Sequence, residues 1–487
     1  MVVAALAASP AAQAAAPATP VRTLTGSTSD GSQFSIRVPP GWSAKTGTLL
    51  LYSHGYRPLE TWSRGGQPQP TAPAGTAPQV ASDDATAQQL LARGYALAGS
   101  SYARNGWAVA DGVRADELLV EQFRRSYGTP QRLYAWGDSL GGLVTQVFAE
   151  KNPQTVAGVA PMCGVLGGPV DNLDLALDFG VAIKALIDPS LALTGFATWA
   201  DAQVAYDHVY SIVMNGLADP TTQAPMAARL VAIRMMLDAP AKTSTSDGVG
   251  PTTTTALQHA TAAAAESVLS GLFYATLGRY DVEQRVAGNP TTNVGVSYLA
   301  RVSNAGAADH KAAAVVTADE RDYAALGFSA GLLRSYARTV DWLGARVQAD
   351  GPARAAFAAT GTPTGVLSDP TITLHTAYDP LVLVQNEARF AGRVAAKGRT
   401  GLLRQLYVTP PSAPWFADAS AMPPTGAPAA YGAGHCAFTP AQRVRTLTLL
   451  DSWVRSRTAP TPIALGAAET AVPGLTRSFT PSAWPVR

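Results

Sequence analysis

The stretch Arg132-Leu-Tyr-Ala-Trp-Gly-Asp-Ser-Leu-Gly-Gly142 constrains this chain more than any other. It reads as a short apolar strand from Leu133 to Trp136, an abrupt turn, and a helix starting near Leu140. Inside it, Gly137-Asp138-Ser139-Leu140-Gly141 has G-x-S-x-G spacing. A strand that reverses sharply into a helix leaves its middle residue strained, with the side chain projecting from the turn. Residues two before and two after must be small, because the backbones pass close there. Gly137 and Gly141 supply that room. Ser139 then stands at a helix N-terminus, where amide groups and the helix dipole favour developing negative charge. The plain alternative is an inert serine in a Gly-rich turn; the strand before it and the helix after it argue against that.

The surrounding chain alternates. Phe34-Ser-Ile-Arg-Val38 has strand periodicity, and Thr48-Leu-Leu-Leu-Tyr52 is a continuous apolar run, expected of a strand buried on both faces. It ends in Ser53-His54-Gly55-Tyr56; His54 alone is assigned no chemistry, since it can equally pack beneath the turn. Residues 58–78 read as a Gly/Pro/Thr-rich surface loop around Trp62. A helix over Ala85 to Arg93, a strand over Gly94 to Ser101 and a helix over Asp116 to Tyr127 lead into the serine turn, and Val156 to Cys163 is again strand-like. Such alternation predicts an α/β fold with a mostly parallel central sheet and helices on both faces.

Then the period changes. From Gly168 to Gly365 only helical stretches occur: Leu173 to Ile187, Trp199 to Met214, Ala227 to Leu237, Ala262 to Leu277 and Asp322 to Val347, with a Thr/Ser-rich break over Lys242 to Thr255. The expected organisation is a leader over 1–20, a first core part over 21–167, a helical cap over 168–365, and a second core part over 366–487. In that second part Thr371 to Asp379 reads as a strand, Val384 to Lys397 as a helix, Leu402 to Val408 as a strand and Pro440 to Arg457 as a long helix. The Pro/Thr/Ala-rich tail after Pro460 is expected to lie extended over the surface.

A serine hydroxyl needs a base that takes its proton, and the base needs a carboxylate to orient it. Of six histidines (His54, His208, His259, His310, His375, His435), only His435 sits in a Gly-flanked loop between a strand and the last long helix. Asp379 ends a strand before a proline; Asp369 lies at the wrong end of that strand and Asp451 inside the last helix. Ser139, Asp379 and His435 are therefore the candidate catalytic residues, in chain order Ser, Asp, His.

These motifs resemble the α/β-hydrolase superfamily over everything outside the 168–365 insertion. The resemblance rests on Ser53-His54-Gly55-Tyr56, Gly137-Asp138-Ser139-Leu140-Gly141, Asp379 and Gly434-His435. It implies an α/β-hydrolase fold with an eight-stranded type of sheet and a large all-helical cap inserted after the sixth core strand. It also implies no cofactor and no metal, and an oxyanion hole made by the Tyr56 and Leu140 amides. Within the superfamily the chain is most similar to secreted esterases and prolyl-peptidase-type enzymes. It resembles tannase and feruloyl esterase enzymes in carrying a cysteine, Cys436, directly after the candidate histidine. It departs from them at Asp138, where they place a cysteine before the serine, so the resemblance does not extend to implying their phenolic-ester specificity.

Three functions follow as expectations. The first is a secreted carboxylic-ester hydrolase acting on a small-molecule or oligomeric ester. The second is a serine aminopeptidase or amidase, which needs a carboxylate at the cap mouth for the substrate's amine; Asp174, Asp201, Asp207, Glu283 and Glu320 are candidates, each more readily read as a solvated helix charge. The third is a non-catalytic binding protein on the same scaffold.

Composition narrows partners and compartment. Net charge is +2, from 36 Lys+Arg against 34 Asp+Glu, and no basic run interleaved with aromatics occurs, so no nucleic-acid partner is expected. No uninterrupted apolar run reaches the ~20 residues of a membrane span. Met1 to Ala16 is Ala/Val-rich and carries no charged side chain, with Ala12-Gln13-Ala14 as a candidate cleavage site: the pattern of an export signal without its basic end, or else a disordered leader. The two cysteines, Cys163 and Cys436, are expected to pair. Cys163 ends the strand after the serine unit, Cys436 adjoins His435, and export would oxidise them. The alternative is two buried thiols.

Overall fold

The structure, a computed structural model, describes residues 20–69, 77–237, 254–303, 329–409 and 431–485, apart from 433 and 482. All but the last residue of the leader expected over 1–20, most of the 242–255 break and the first residues of the helix expected from Asp322 lie outside the described residues.

Before the insertion the strands are β1 (Arg22–Ser27), β2 (Gln33–Val38), β3 (Thr48–Ser53), β4 (Ser63–Arg64), β5 (Gln67–Pro68), β6 (Ala96–Ser100), β7 (Arg132–Asp138) and β8 (Gly158–Met162). After it come β9 (Thr371–Thr376), β10 (Leu403–Val408) and β11 (Leu475–Thr476). All but the small β4–β5 hairpin join one sheet of nine strands, in the order β1-β2-β6-β3-β7-β8-β9-β10-β11. The six from β6 to β10 are mutually parallel; β1, β2 and β11 are antiparallel edges. This is the α/β-hydrolase sheet, with six of its strands preceding the insertion.

Burial on both faces explains why the central strands carry unbroken apolar runs. In β3, Leu49 and Leu51 pack with the helices α2 (Val109–Tyr127) and α3 (Leu140–Lys151). Leu50 and Tyr52 point to the opposite face, toward α1 (Asp84–Ala92) and the long helix Pro440–Ser456. Side chains of period two on a parallel strand require this sandwich.

Among the described residues no strand interrupts the chain between Met162 and Thr371. Helices fill it: α4 (Pro169–Leu186), α5 (Trp199–Ala218), α6 (Gln223–Met236), α7 (Thr254–Ala275), α8 (Leu277–Val286), α9 (Tyr298–Ser303), α10 (Ala330–Leu343) and α11 (Gly351–Ala359). They enclose an apolar cluster of their own, including Val181, Ile183, Val209, Leu230 and Leu272. The hairpin β4–β5 docks on this layer: Arg64 pairs with Glu266 at 2.8 Å, and the Trp199 indole N–H donates to the Thr61 carbonyl at 3.2 Å. Residues 58–69 are therefore a seat for the cap rather than a plain surface loop.

Several boundaries move. The helix expected from Asp116 begins at Val109, because Val109 and Val113 are buried and Gly112 lets α2 approach Tyr102 and Val144 closely. The helix expected over Ala262 to Leu277 is two, broken at Thr276. The tail is not simply extended. Thr461 caps a helix over Pro462–Ala471 with proline in its first turn, Leu465 and Ala468 are buried, and β11 then closes the sheet edge. Proline at N1 starts helices readily, so the Pro/Thr composition was misleading.

Candidate active site

The site is built where β3, β7, β8 and β9 end. Ser139 adopts φ 61°, ψ −125°, a strained conformation between β7 and α3. Its amide donates to the Met162 carbonyl at 2.9 Å, which ties the turn to β8. The glycines are explained by a neighbour that sequence spacing does not reveal: a Cβ on Gly137 or Gly141 would strike the Ser53 carbonyl oxygen at the end of β3. Gly55 lies beside the serine as well; its Cβ would come 3.2 Å from the Ser139 Cβ.

The structure brings Ser139, His435 and Asp379 into one chain of hydrogen bonds. Ser139 Oγ is 2.8 Å from His435 Nε2. His435 Nδ1 is 2.9 Å and 3.1 Å from the two Asp379 oxygens. Asp379 stands three residues past the end of β9 and is fully buried. Its Oδ1 accepts the Leu381 and Val382 amides, each at 2.9 Å, and its Oδ2 accepts the Thr376 hydroxyl at 3.3 Å. The Pro380 that follows starts the turn from which those amides come. The histidine loop pairs with the residue beside the acid: Gly434 N–H donates to Tyr378 O at 2.9 Å, and Tyr378 N–H to Gly432 O at 3.3 Å. Positive φ at Gly432 and Gly434 (80° and 101°) makes that tight pairing possible.

Burial opposes charge on His435, yet the Asp379 carboxylate, its hydrogen bond and the Asp138 charge outweigh it and hold the imidazole above its ordinary range. For Asp379, burial would raise the carboxyl; the His435 charge and hydrogen bond, with His375 and the Leu381 amide, hold it below the usual carboxylate range. The signs agree with a base that becomes imidazolium beside a permanent anion. His54 is buried, stacked at 3.8 Å on Tyr102, with Nδ1 on Gly55 O; burial lowers it to about 3, so it stays neutral beneath the turn.

The two amides expected to bind an oxyanion flank the serine. Leu140 is the first residue of α3, whose opening N–H groups lack intrahelical partners. Tyr56 follows Gly55. Among the described residues neither amide finds an acceptor. The Tyr56 side chain turns toward the insertion and meets Asp281 (3.3 Å) and the Tyr274 ring (5.8 Å between centroids).

Cys163 and Cys436 form a disulfide, with Cα atoms 5.5 Å apart and a sequence separation of 273. Cys163 directly follows β8 and donates its amide to Leu374 of β9 at 2.7 Å, so the bridge fastens the histidine loop to the sheet.

A cleft opens between α4, α7 and the loops after β8 and β9, lined by Val165, Phe179, Tyr274, Leu381 and Val382 among others. The Leu381 and Val382 amides also donate to Asp379, so the cleft borders the loop that holds this acid, while neither Ser139 nor His435 lines it. Four of the five acidic residues named for the insertion are described, and each has a hydrogen-bond partner; Asp174 and Glu283 are buried, whereas Asp201 is exposed and Asp207 half-buried. Asp174 pairs with Arg354 at 2.8 Å, Asp201 caps α5, Asp207 accepts the Gln203 amide, and Glu283 accepts the Gly195 amide and an Arg279 nitrogen. Glu320 lies outside the described residues.

Sequence reasoning missed Arg443, which joins Asp138 to the histidine loop, and Asp281, a buried acid that receives the Trp107 amide at 2.6 Å. A charge within an amphipathic helix carries no spacing signal for a partner some 300 positions away. Asp138 itself, directly before the serine, was the available hint.

No family model matches the chain, and neither does any curated protein. Solved structures do. Feruloyl esterase B from Aspergillus oryzae is similar at 14% identity over 90% of this chain and 81% of that one, with a TM-score of 0.37. An esterase from Aspergillus oryzae is similar at 14% identity over 90% and 80%, TM-score 0.36. The rice cell wall degrading esterase LipA from Xanthomonas oryzae is similar at 12% identity over 80% of each chain, TM-score 0.31.

Proposed function

We propose that this chain is a serine hydrolase that cleaves carboxylic esters through an acyl-enzyme. The observation carrying this reading is the Ser139–His435–Asp379 hydrogen-bond chain on an unbroken strand–turn–helix elbow. His435 Nε2 takes the Ser139 proton as Oγ attacks the ester carbonyl. The oxyanion lies against the Tyr56 and Leu140 amides, a donor pair of which each member is worth about 2.7–4 kcal/mol in comparable sites. The imidazolium then protonates the departing alcohol, and water, deprotonated by the same imidazole, releases the acid. Asp379 holds the tautomer and stabilises the imidazolium.

Ester cleavage is favoured over aminopeptidase action by the engagement of Asp174, Asp201, Asp207 and Glu283, which leaves none of these four wholly free to bind a substrate amine. The disulfide supports an oxidising compartment, hence export. Among the described residues no helix is long and apolar enough to cross a membrane.

Chromogenic esters of increasing acyl length, assayed beside aminoacyl amides, test the reading. Wild type should turn over esters, and Ser139→Ala should fall to the residue left by binding and the oxyanion hole while keeping its melting temperature. Full ester turnover by Ser139→Ala would refute the assignment.

A further inference from the structure

Asp138 occupies the position directly before the serine, and its carboxylate is buried. Its partner is Arg443, on the helix that follows the histidine loop: Nε and Nη2 lie 3.2 Å and 3.0 Å from Asp138 Oδ2. The same guanidinium grips the loop itself. Nη2 donates to the Cys436 carbonyl at 3.2 Å and Nη1 to the Phe438 carbonyl at 2.7 Å. Asp83, the cap of α1, stands 3.6 Å from Nη1. One rigid, five-donor fork therefore joins the residue before the nucleophile to the residue after the base.

We infer that Arg443 and Asp138 form a second, ionic tether that positions His435 against Ser139, in parallel with the Cys163–Cys436 bridge. The inference rests on the triad reading above. The two tethers hold the loop from different sides. The disulfide fixes Cys436 to the end of β8, whereas Arg443 fixes the Cys436 and Phe438 carbonyls to the end of β7, beside the nucleophile. Asp138 has a further consequence. Its charge, like that of Asp379 on the loop after β9, favours the His435 imidazolium, and His375 on β9 is the other imidazole whose charge is coupled to His435. Arg443 is thus a positioning residue, acting on catalysis only through the imidazole.

The test is a double-mutant cycle on the full chain: Arg443→Met, Cys436→Ser and both together, with Asp138→Asn, Ser139→Ala and His435→Ala as references. Because small misplacements at a reacting centre cost up to ~100-fold, Arg443→Met should lower kcat by ~10- to ~100-fold with little change in KM. Cys436→Ser alone should cost less. The double variant should lose more than the product of the single losses, since each tether partly covers for the other. Asp138→Asn, which keeps the shape, should lower kcat and move the acidic limb of kcat/KM to lower pH, because removing a negative charge destabilises the imidazolium. A purely structural role would leave that limb in place. Should Arg443→Met fail to fold, Asp138→Asn and its pH profile carry the test. Wild-type kcat in a folded Arg443→Met, losses that simply multiply, or an unmoved limb in Asp138→Asn would each overturn the tether while the triad stands. Turnover retained by Ser139→Ala or His435→Ala would instead remove the triad reading beneath it.

Discussion

The sheet core and the helical insertion bury acidic side chains in different ways. In the insertion four of the five described buried carboxylates have an arginine: Asp174 with Arg354, Asp178 with Arg301, Glu283 with Arg279 and Asp281 with Arg285, at 2.8–3.8 Å; the fifth, Asp188, has the Ser190 hydroxyl and His208. In the core Asp116 is held by the Ser53 hydroxyl and Glu387 by Thr373 and Gln405; burial pushes these carboxyls up to about 8 and about 7. Of the two remaining buried carboxylates of the core, Asp379 has the His435 imidazole as its partner and Asp138 has Arg443, so two of the four lack a charge-bearing partner. Helices crossing one another offer few free backbone donors, so a charge buried between them needs a counter-ion. The strand ends offer amides, which is why Asp379 can remain an anion at the site, with an imidazole as its only ionisable hydrogen-bond partner. The core thus holds an imidazole between a buried carboxylate and a serine hydroxyl, whereas the insertion mostly ties its buried acids to arginines of neighbouring elements.

The largest expected effect breaks the core side of this contrast. Asp379→Asn should preserve the loop but favour the wrong tautomer of His435, lowering kcat on esters by up to ~10⁴-fold. If Asp369→Asn proves the damaging change and Asp379→Asn is mild, the acid has been misplaced.

Next comes the insertion. Arg301→Met would remove the 2.8 Å ion pair from the Asp178 carboxylate, a residue 1% exposed that also accepts the Tyr298 hydroxyl at 2.9 Å. Breaking a buried pair from one side typically costs ~3–5 kcal/mol, read as a lower denaturation midpoint in urea. The folded fraction should still react at Ser139, because no residue of the triad leans on Arg301. A loss of turnover per folded molecule as large as that of Asp379→Asn would dissolve the distinction between the two regions.

The smallest effect at pH 5 is in the core. Asp116 binds a proton in the folded chain up to about pH 8, whereas an unfolded aspartate loses it near ~3.9. Between those values the folded state holds more protons, so this group makes stability fall as pH rises. Asp116→Asn replaces a neutral acid by a neutral amide. It should change stability at pH 5 by less than ~1 kcal/mol and improve relative to wild type toward pH 8. Stability curves that stay parallel from pH 5 to pH 8 would show that Asp116 does not titrate as described.

The same contrast governs what could be read from the amino-acid sequence. Core strands and the elbow rest on local rules, namely period-two burial, a continuous apolar run in Thr48–Ser53 and small residues two positions either side of Ser139. They were legible for that reason. His435 and Asp379 were found by their loop context and chain order. Edge strands were not: β1 is largely solvent-exposed, and β11 has only two residues, so neither carries an apolar signature. In the insertion, helices could be seen but their ends and partners could not. The break at Thr276 has no proline or cap pattern, and the short helix Tyr298–Ser303 is held by Asp341, which accepts the Tyr298 and Leu299 amides from more than 40 positions away. Ion pairs such as Asp178–Arg301 and Asp138–Arg443 are long-range choices that no local pattern announces.

The central claim is that Ser139 is the nucleophile and His435 its base. Labelling the native protein with a fluorophosphonate, then mapping the adduct by tryptic mass spectrometry, tests it most directly. The account predicts a single adduct, on the peptide Leu133–Lys151 at Ser139, and its loss in His435→Ala. An adduct on another serine, or undiminished labelling in His435→Ala, would contradict it.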